Sequence, residues 1–269
     1  VNFKNLLIKS KKEVFSQRNG VFKSQNIGDG FDFAELREYD YQSDAKKIDW
    51  MAFAKTRELY QKEYNPELSR NITVLPIFTG SLFFGYERLL KDMVLEIAAL
   101  LSYSALLSKD FLNFGYIKGE ELFIRYLKSN CEIDKIIEKM SDLDIKGVKF
   151  FFDFNKLFYK LIEKNLIILI GDFLYQADLT LLSKKHEVVC IIVRNRLKEE
   201  KAYLQLKDNI TFKERNFLLN KKGIDFYEKR VENLLYENYA NFKKEGIDFI
   251  EIYENENIFR KLSLFFGNR

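Results

Sequence analysis

The chain has 269 residues, 47% of them hydrophobic and 31% charged, with a formal net charge of +4 from 44 basic and 40 acidic residues. That length suffices for one large domain or two small ones with a sizeable core, and the hydrophobic fraction excludes a disordered chain. Charges of both signs alternate along most of the chain, a pattern that does not give the one-sided basic footprint expected of a nucleic-acid binder.

The N-terminus, Val1 to Lys9, lacks the apolar stretch and cleavage site of a secretory signal. The run from Gly20 to Lys55 follows, and a packed core does not require its composition. Asp29, Asp32, Glu35, Arg37, Asp44, Lys46, Asp49 and Lys55 interleave with Phe31, Phe33, Leu36, Tyr39, Ile48, Trp50 and Phe53, and Trp50 is the only tryptophan. Two readings of Arg37, Tyr39, Asp44, Asp49 and Trp50 stand side by side. One is a recognition surface, with Trp50 and Tyr39 as anchors and Arg37 as a planar donor. The other is an internal network that docks this segment onto a sheet, with Arg37 paired to Asp44 or Asp49.

From Ile72 onward the pattern alternates strand and helix. Ile72 to Phe78 is a buried strand, with Gly80 and Gly85 punctuating the turn after it. Glu87 to Leu107 carries apolar residues at helical spacing. Its apolar part, Met93 to Leu107, is interrupted by Glu96 and is too short for a membrane span of about 20 residues. Phe111 to Ile117 and Glu121 to Tyr126 form a hairpin around Lys118-Gly119. Glu132 to Met140 and Phe154 to Glu163 are predicted helices. Asn165 to Ile170 and Val188 to Val193 are fully apolar strands of the kind found inside a parallel sheet. Ala202 to Phe212 reads as an irregular excursion or hairpin. Gly223 to Lys244 is an amphipathic helix with Lys243-Lys244 on its solvent face, Ile247 to Ile252 a last strand, and Ile258 to Phe266 a last helix. The alternation predicts an α/β fold with a mostly parallel sheet, helices on both faces and an antiparallel edge strand.

Catalytic chemistry has few candidates. Cys131 and Cys190 lack His or Cys neighbours at metal spacing and read as free thiols. His186 is the only histidine, and it precedes an apolar strand, where a structural role is expected. Neither a dinucleotide fingerprint nor a P-loop is present, so Gly80 and Gly85 read as turn residues.

The Gly20–Lys55 run resembles the signature of the bacterial domain-of-unknown-function 58 family. That signature is close to G-x-x-S, then E-F, then R-x-Y-x-x-G-D-D-x-R-x-I-D-W-x-x-x-A-R. Gly20, Ser24, Phe33, Arg37, Tyr39, Asp44, Ile48, Asp49, Trp50 and Ala54 match it. Lys46 and Lys55 stand for arginine, Asp32 for glutamate, and Gln42-Ser43 for Gly-Asp. The resemblance continues through Asp110 to Gly115, Ile170 to Leu174 and Lys184 to Val189. It implies a signature segment over residues 1–70 and a von Willebrand factor A-like domain over 71–269.

Such domains usually hold a divalent cation above the carboxyl edge of the sheet, with a D-x-S-x-S motif after the first strand and a further Asp after the central one. The corresponding residues here are Ile77, Thr79, Ser81 and Asp172. Ile77 replaces the first Asp, so the resemblance implies a degenerate metal site. No cofactor is expected. Weak Mg²⁺ binding through Thr79, Ser81 and Asp172, completed by Asp153 or Asp178, is the alternative.

The resemblance further implies a cytoplasmic, non-enzymatic protein-interaction module without a transmembrane segment. It would be an adaptor or co-chaperone whose partners are proteins, with a MoxR-type AAA+ ATPase foremost and nucleic acid excluded. The rival expectation is a metal-assisted hydrolase or phosphate-binding protein using Asp172 and the Thr79-Gly80-Ser81 turn.

Overall fold

A computed structural model of the chain describes residues 3–16, 32–39, 48–65, 69–198, 203–207, 209–210, 214–218 and 220–267. The chain divides into two compact units. One comprises Val1–Phe22 and Arg70–Arg269, the other Lys23–Ser69. The larger unit thus includes the first helix, α1 (Phe3–Ser16), which the sequence division at residue 70 had placed with the signature segment.

The smaller unit contains β1 (Asp32–Glu38), α2 (Trp50–Thr56) and β2 (Tyr60–Asn65). The two strands pair antiparallel, with Arg37 opposite Gln61 and a bulge between Phe33 and Glu35. Helix α2 begins where it does because Asp49 caps it. One carboxylate oxygen accepts from the backbone N–H groups of Met51 (2.9 Å) and Ala52 (3.2 Å). The helix ends at Arg57, which enters the left-handed region (φ 59°) and returns its N–H to the Phe53 carbonyl.

In the larger unit, β3 (Asn71–Phe78), β4 (Phe111–Lys118), β5 (Glu121–Leu127), β6 (Leu166–Gly171), β7 (Glu187–Arg194) and β10 (Asp248–Tyr253) form one sheet in the order β10-β7-β6-β3-β4-β5. Five strands are parallel, and β5 runs antiparallel at one edge. This is the α/β sheet the alternating pattern predicts. A separate antiparallel hairpin pairs β8 (Tyr203–Lys207), inside the Ala202–Phe212 excursion or hairpin expected from sequence, with β9 (Glu214–Leu218), which lies beyond it.

Period-two alternation assigns each strand residue to one of two cores. Val74, Ile168 and Val189 pack with α3 (Leu90–Leu107), α4 (Asn130–Ser141), α8 (Ile258–Gly267) and Val14 of α1. Leu75, Ile167 and Leu169 pack on the other face with α5 (Asn155–Lys160), α6 (Thr180–Ser183) and α7 (Lys221–Lys244). Both faces of the sheet are therefore covered, which suits near-continuous apolar strands.

Helix α3 is buried from Leu90 to Ala105 along nearly its whole length. Glu96, which interrupts its apolar run, is buried between two cations: Arg88 Nη1 at 2.7 Å and Lys9 Nζ of α1 at 2.8 Å. A charge withdrawn from water needs such partners. Among the described residues, no helix is long and apolar enough to cross a membrane.

One predicted helix shortens. Phe154 to Glu163 reads as helical, but α5 spans only Asn155–Lys160, and Leu161 is already extended (φ −95°, ψ 99°). The Leu161 carbonyl leaves the helical ladder and accepts from Lys185 Nζ at 2.8 Å. This tertiary contact overrides local periodicity.

Candidate functional site

The parallel order brings the carboxyl ends of β3, β6, β7 and β10 to one edge of the sheet, where open α/β folds place their ligands. Thr79 and Ser81 follow β3, and Asp172 follows β6. The structure gathers these three. Thr79 Oγ1 lies 2.8 Å from Ser81 Oγ and donates to Asp172 Oδ2 at 3.5 Å, while the Ser81 hydroxyl donates to that same carboxylate oxygen. The other oxygen, Oδ1, accepts from the Leu174 N–H at 3.4 Å. Asp172 is buried, and burial pushes its carboxyl above the usual range although the Ser81, Leu174 and Thr79 hydrogen bonds oppose the shift.

The turn around Asp172 is held from behind. Phe173 adopts φ 52°, unusual for a bulky residue. Asn238 of α7, itself buried, fixes that turn. Its Nδ2 donates to the carbonyls of Phe173 (3.0 Å) and Tyr175 (2.7 Å), and its Oδ1 accepts from the Ala177 N–H at 3.0 Å. Tyr175 stacks on Phe150 with centroids 3.8 Å apart, and its buried hydroxyl has no hydrogen-bond partner among the described residues. Neither Asn238 nor Tyr175 is legible from sequence spacing.

A divalent cation does not fit this donor set. Mg²⁺ requires carboxylate charge and oxygen atoms free to turn toward it. Among the described residues only one carboxylate, Asp172, is present, and both hydroxyls bond to it or to each other. Ile77 is 1% exposed and packs in the core with Leu75, Ile117 and Phe173. Asp153 and Asp178, considered as supplementary ligands, each bond a nearby backbone N–H instead, Asn155 and Thr180 respectively. Among the described residues no three His, Cys, Asp or Glu side chains group in a way that could hold a metal ion.

The glycines of the turn are shaped by the chain itself. The Gly80 N–H donates to the Val148 carbonyl at 2.9 Å, and a Cβ on Gly80 would meet the Asn209 carbonyl oxygen and Ile210 at 2.9 Å. A Cβ on Gly85 would meet the Arg88 carbonyl oxygen at 2.0 Å. Close backbone approach, not a phosphate, requires glycine there. Glu254, just after β10, reinforces this edge. It is buried, and its carboxylate accepts from the N–H groups of Tyr86 (3.2 Å), Glu87 (2.9 Å), Arg88 (3.4 Å) and Arg196 (3.0 Å).

His186 lies at the opposite edge, just before β7. Its Nδ1 accepts from the Asn165 N–H at 3.2 Å, so it joins the starts of β6 and β7. The length of β6, six residues or about 20 Å, separates it from Asp172. Cys190 is buried, and burial pushes its thiol up, while Cys131 is exposed.

The profile of the family described as "Protein of unknown function DUF58" matches residues 35–214, more than half of the chain's 269 residues. The chain belongs to the DUF58 family. No curated protein matches it. Among solved structures, it is similar to the crystal structure of an uncharacterized membrane spanning protein from Vibrio fischeri. That match has 11% identity and a TM-score of 0.23, and covers 75% of this chain and 98% of the other.

The DUF58 signature residues fall in different places. Asp44 lies outside the described residues. Arg37 sits in β1 with its backbone opposite Gln61, and its side chain lies outside the described set. Tyr39 is half-buried, and its N–H bonds the Leu59 carbonyl at 2.8 Å. Asp49 is the cap of α2, a local structural role. Trp50 is 62% exposed, beside Met51 at 74% and Phe53 at 38%, and α2 buries none of its residues. Trp50 and Phe53 meet edge-to-face with centroids 6.1 Å apart. The pairing of Arg37 with Asp44 or Asp49 lies outside the described residues on the Arg37 side.

Proposed function

We propose that this DUF58 chain is a non-enzymatic protein-interaction module. In this reading it acts in the cytoplasm as an adaptor or co-chaperone for a MoxR-type AAA+ ATPase. The observation that carries the reading is the exposed apolar face of α2. Trp50, Met51 and Phe53 stand in water inside the family signature, held in register by the Asp49 cap. Exposed aromatic and Met side chains clustered on one short element are the composition of interface anchors. The carboxyl edge supports the same reading, because its hydroxyls and carboxylate bond one another and the only histidine sits at the far edge.

The test mixes the purified chain with a MoxR-type ATPase and follows the emission of Trp50, the only tryptophan of this chain, using an ATPase variant without tryptophan. Complex formation is expected to shift the emission to the blue and to co-elute the two proteins. Met51→Ser and Trp50→Ala are expected to weaken the complex, the latter by at least about 2 kcal/mol, roughly thirtyfold. A complex unaffected by either substitution would remove α2 from the interface. The absence of any complex would remove this partner.

A further inference from the structure

The amino edge of the sheet has a different chemistry from the carboxyl edge. Every parallel strand starts there, and the residues leading into the strands are basic: Arg70 before β3, Lys109 before β4, Lys164 before β6, Lys184-Lys185 before β7, and Lys243-Lys244 before β10. Lys128 follows the antiparallel β5 at the same edge. The register fixes this, since Asn71 pairs with Phe111, Ile72 with Leu166, and Leu112 with Leu127.

Large apolar side chains share that edge and remain in water. Ile162 is 83% exposed, Phe111 48% and Tyr126 44%. Phe111 and Tyr126 lie side by side on β4 and β5, with ring centroids 6.4 Å apart, and Lys128 Nζ sits 5.6 Å from the Tyr126 ring centre. Ile162 lies at the same edge shortly before β6, where its neighbour Glu163 accepts from the Asn71 side chain at 2.9 Å at the start of β3. The strip spans β6, β3, β4 and β5, three strand spacings or about 15 Å. Of the acids near it, buried Asp110 pairs with Arg70, whereas Glu163 and Glu132 accept from uncharged donors, the Asn71 amide and the backbone at the start of α4. Exposed Glu187 and Asp248 lie toward the β7–β10 end.

We propose that this strip, Phe111, Tyr126 and Ile162 framed by Lys109, Lys128 and Lys164, is a peripheral docking surface for an anionic lipid bilayer. The charge complementarity is with phosphate-bearing headgroups, which attract lysines near the surface. The apolar side chains select a bilayer over a nucleic acid. An aliphatic residue such as Ile162 gains nothing from a phosphate backbone, but it gains free energy at the boundary between headgroups and acyl chains, where tyrosine also accumulates.

The test uses the full chain in flotation with vesicles of phosphatidylcholine alone or mixed with phosphatidylglycerol. Binding is expected only with phosphatidylglycerol, and is expected to weaken as salt rises. Each of Lys109→Gln, Lys128→Gln and Lys164→Gln is expected to reduce partitioning about fivefold, and Ile162→Ser to reduce it severalfold at unchanged charge. All four positions are exposed, so the variants should unfold at the wild-type urea midpoint. Failure to float with phosphatidylglycerol vesicles, or flotation unchanged in the lysine triple variant, overturns the proposal. So does salt-sensitive DNA binding with no vesicle binding, which would assign the lysines to nucleic acid.

Discussion

Ile77 is where the metal motif implied by the family resemblance and this fold disagree most sharply, and Ile77→Asp is the substitution that tests the disagreement. If Ile77 merely vacated a ligand position, returning an aspartate would rebuild a two-carboxylate site with Asp172, and Mg²⁺ would stabilise the variant. The structure predicts otherwise. Ile77 is 1% exposed and packs among Leu75, Ile117, Leu169 and Phe173, and its Cβ lies 3.5 Å from where a side chain on Gly171 would begin. Truncating such a residue costs about 2–5 kcal/mol in lost burial and cavity. An aspartate there adds a buried charge without a cation, several kcal/mol more. The sum approaches the whole stability of an ordinary domain, about 5–15 kcal/mol. Ile77→Asp is therefore expected to unfold or to lose its cooperative urea transition, with or without Mg²⁺, while Ile77→Val stays folded with a loss of about 1 kcal/mol. Circular dichroism through a urea titration at several Mg²⁺ concentrations reads both. A folded Ile77→Asp protein whose midpoint rises with Mg²⁺ would refute the argument and restore a metal-assisted mechanism.

The buried Asp172 carboxyl, raised above its ordinary value of 3.8 by desolvation, makes the native state hold more protons than the unfolded one, so its contribution to stability falls as pH rises from that value through the raised one. Asp172→Asn should abolish this slope, its advantage over wild type growing from acidic to neutral pH in urea midpoints; a constant difference would contradict the assignment. At Glu96, Arg88→Met should cost about 3 kcal/mol because the Arg88 side chain is only 20% exposed, whereas Lys9→Met, at 58%, should cost about 1 kcal/mol or less. Equal losses would mean that α1, not the ion pair, dominates. Asp49→Ala removes the α2 cap and should cost that helix about 1 kcal/mol, seen as lower steady-state anisotropy of Trp50 with the global urea midpoint unmoved.

The sheet was legible because its strands state their burial in composition. Leu166 to Ile170 and Val188 to Val193 are apolar on both faces, and only a two-sided core accepts that. Helix α1 was not predicted. Phe3, Leu6, Leu7 and Val14 recur at helical spacing and could have announced it, although Ser10 interrupts the stripe and Ile8, 64% exposed, lies off it. It is tied down by Lys9 to Glu96 and by Lys11 to Asp134, pairs 87 and 123 residues apart. Thr79, Ser81 and Asp172 were named together by the family resemblance, not by composition or periodicity. What sequence spacing did not carry was their mutual hydrogen bonding and the Asn238 clamp, which reaches from α7 across more than 60 residues. Trp50 shows a different limit. An aromatic beside an aspartate in a charged run is compatible with burial or exposure, and in the structure Trp50 is exposed.

A parallel sheet ordinarily offers its carboxyl edge to ligands because strand ends and helix starts leave backbone donors and side chains without internal partners. Here several groups that would serve a ligand are already taken. The Gly80 N–H is engaged by Val148, the N–H groups of Tyr86, Glu87 and Arg88 by Glu254, and the Asp172 carboxylate by Ser81 and Leu174. A phosphate or cation entering this edge would have to break those bonds and repay their desolvation. Among the exposed large apolar side chains are Trp50, Met51 and Phe53 on α2, and Phe111, Tyr126 and Ile162 at the amino edge. Burying them gains free energy without breaking an internal hydrogen bond. The proposed recognition through these surfaces would therefore break fewer internal hydrogen bonds than ligand capture at the carboxyl edge. The ordering is testable, since Trp50→Ala and Ile162→Ser should each change an association while leaving the urea midpoint where it was, and Asp172→Asn should do the reverse.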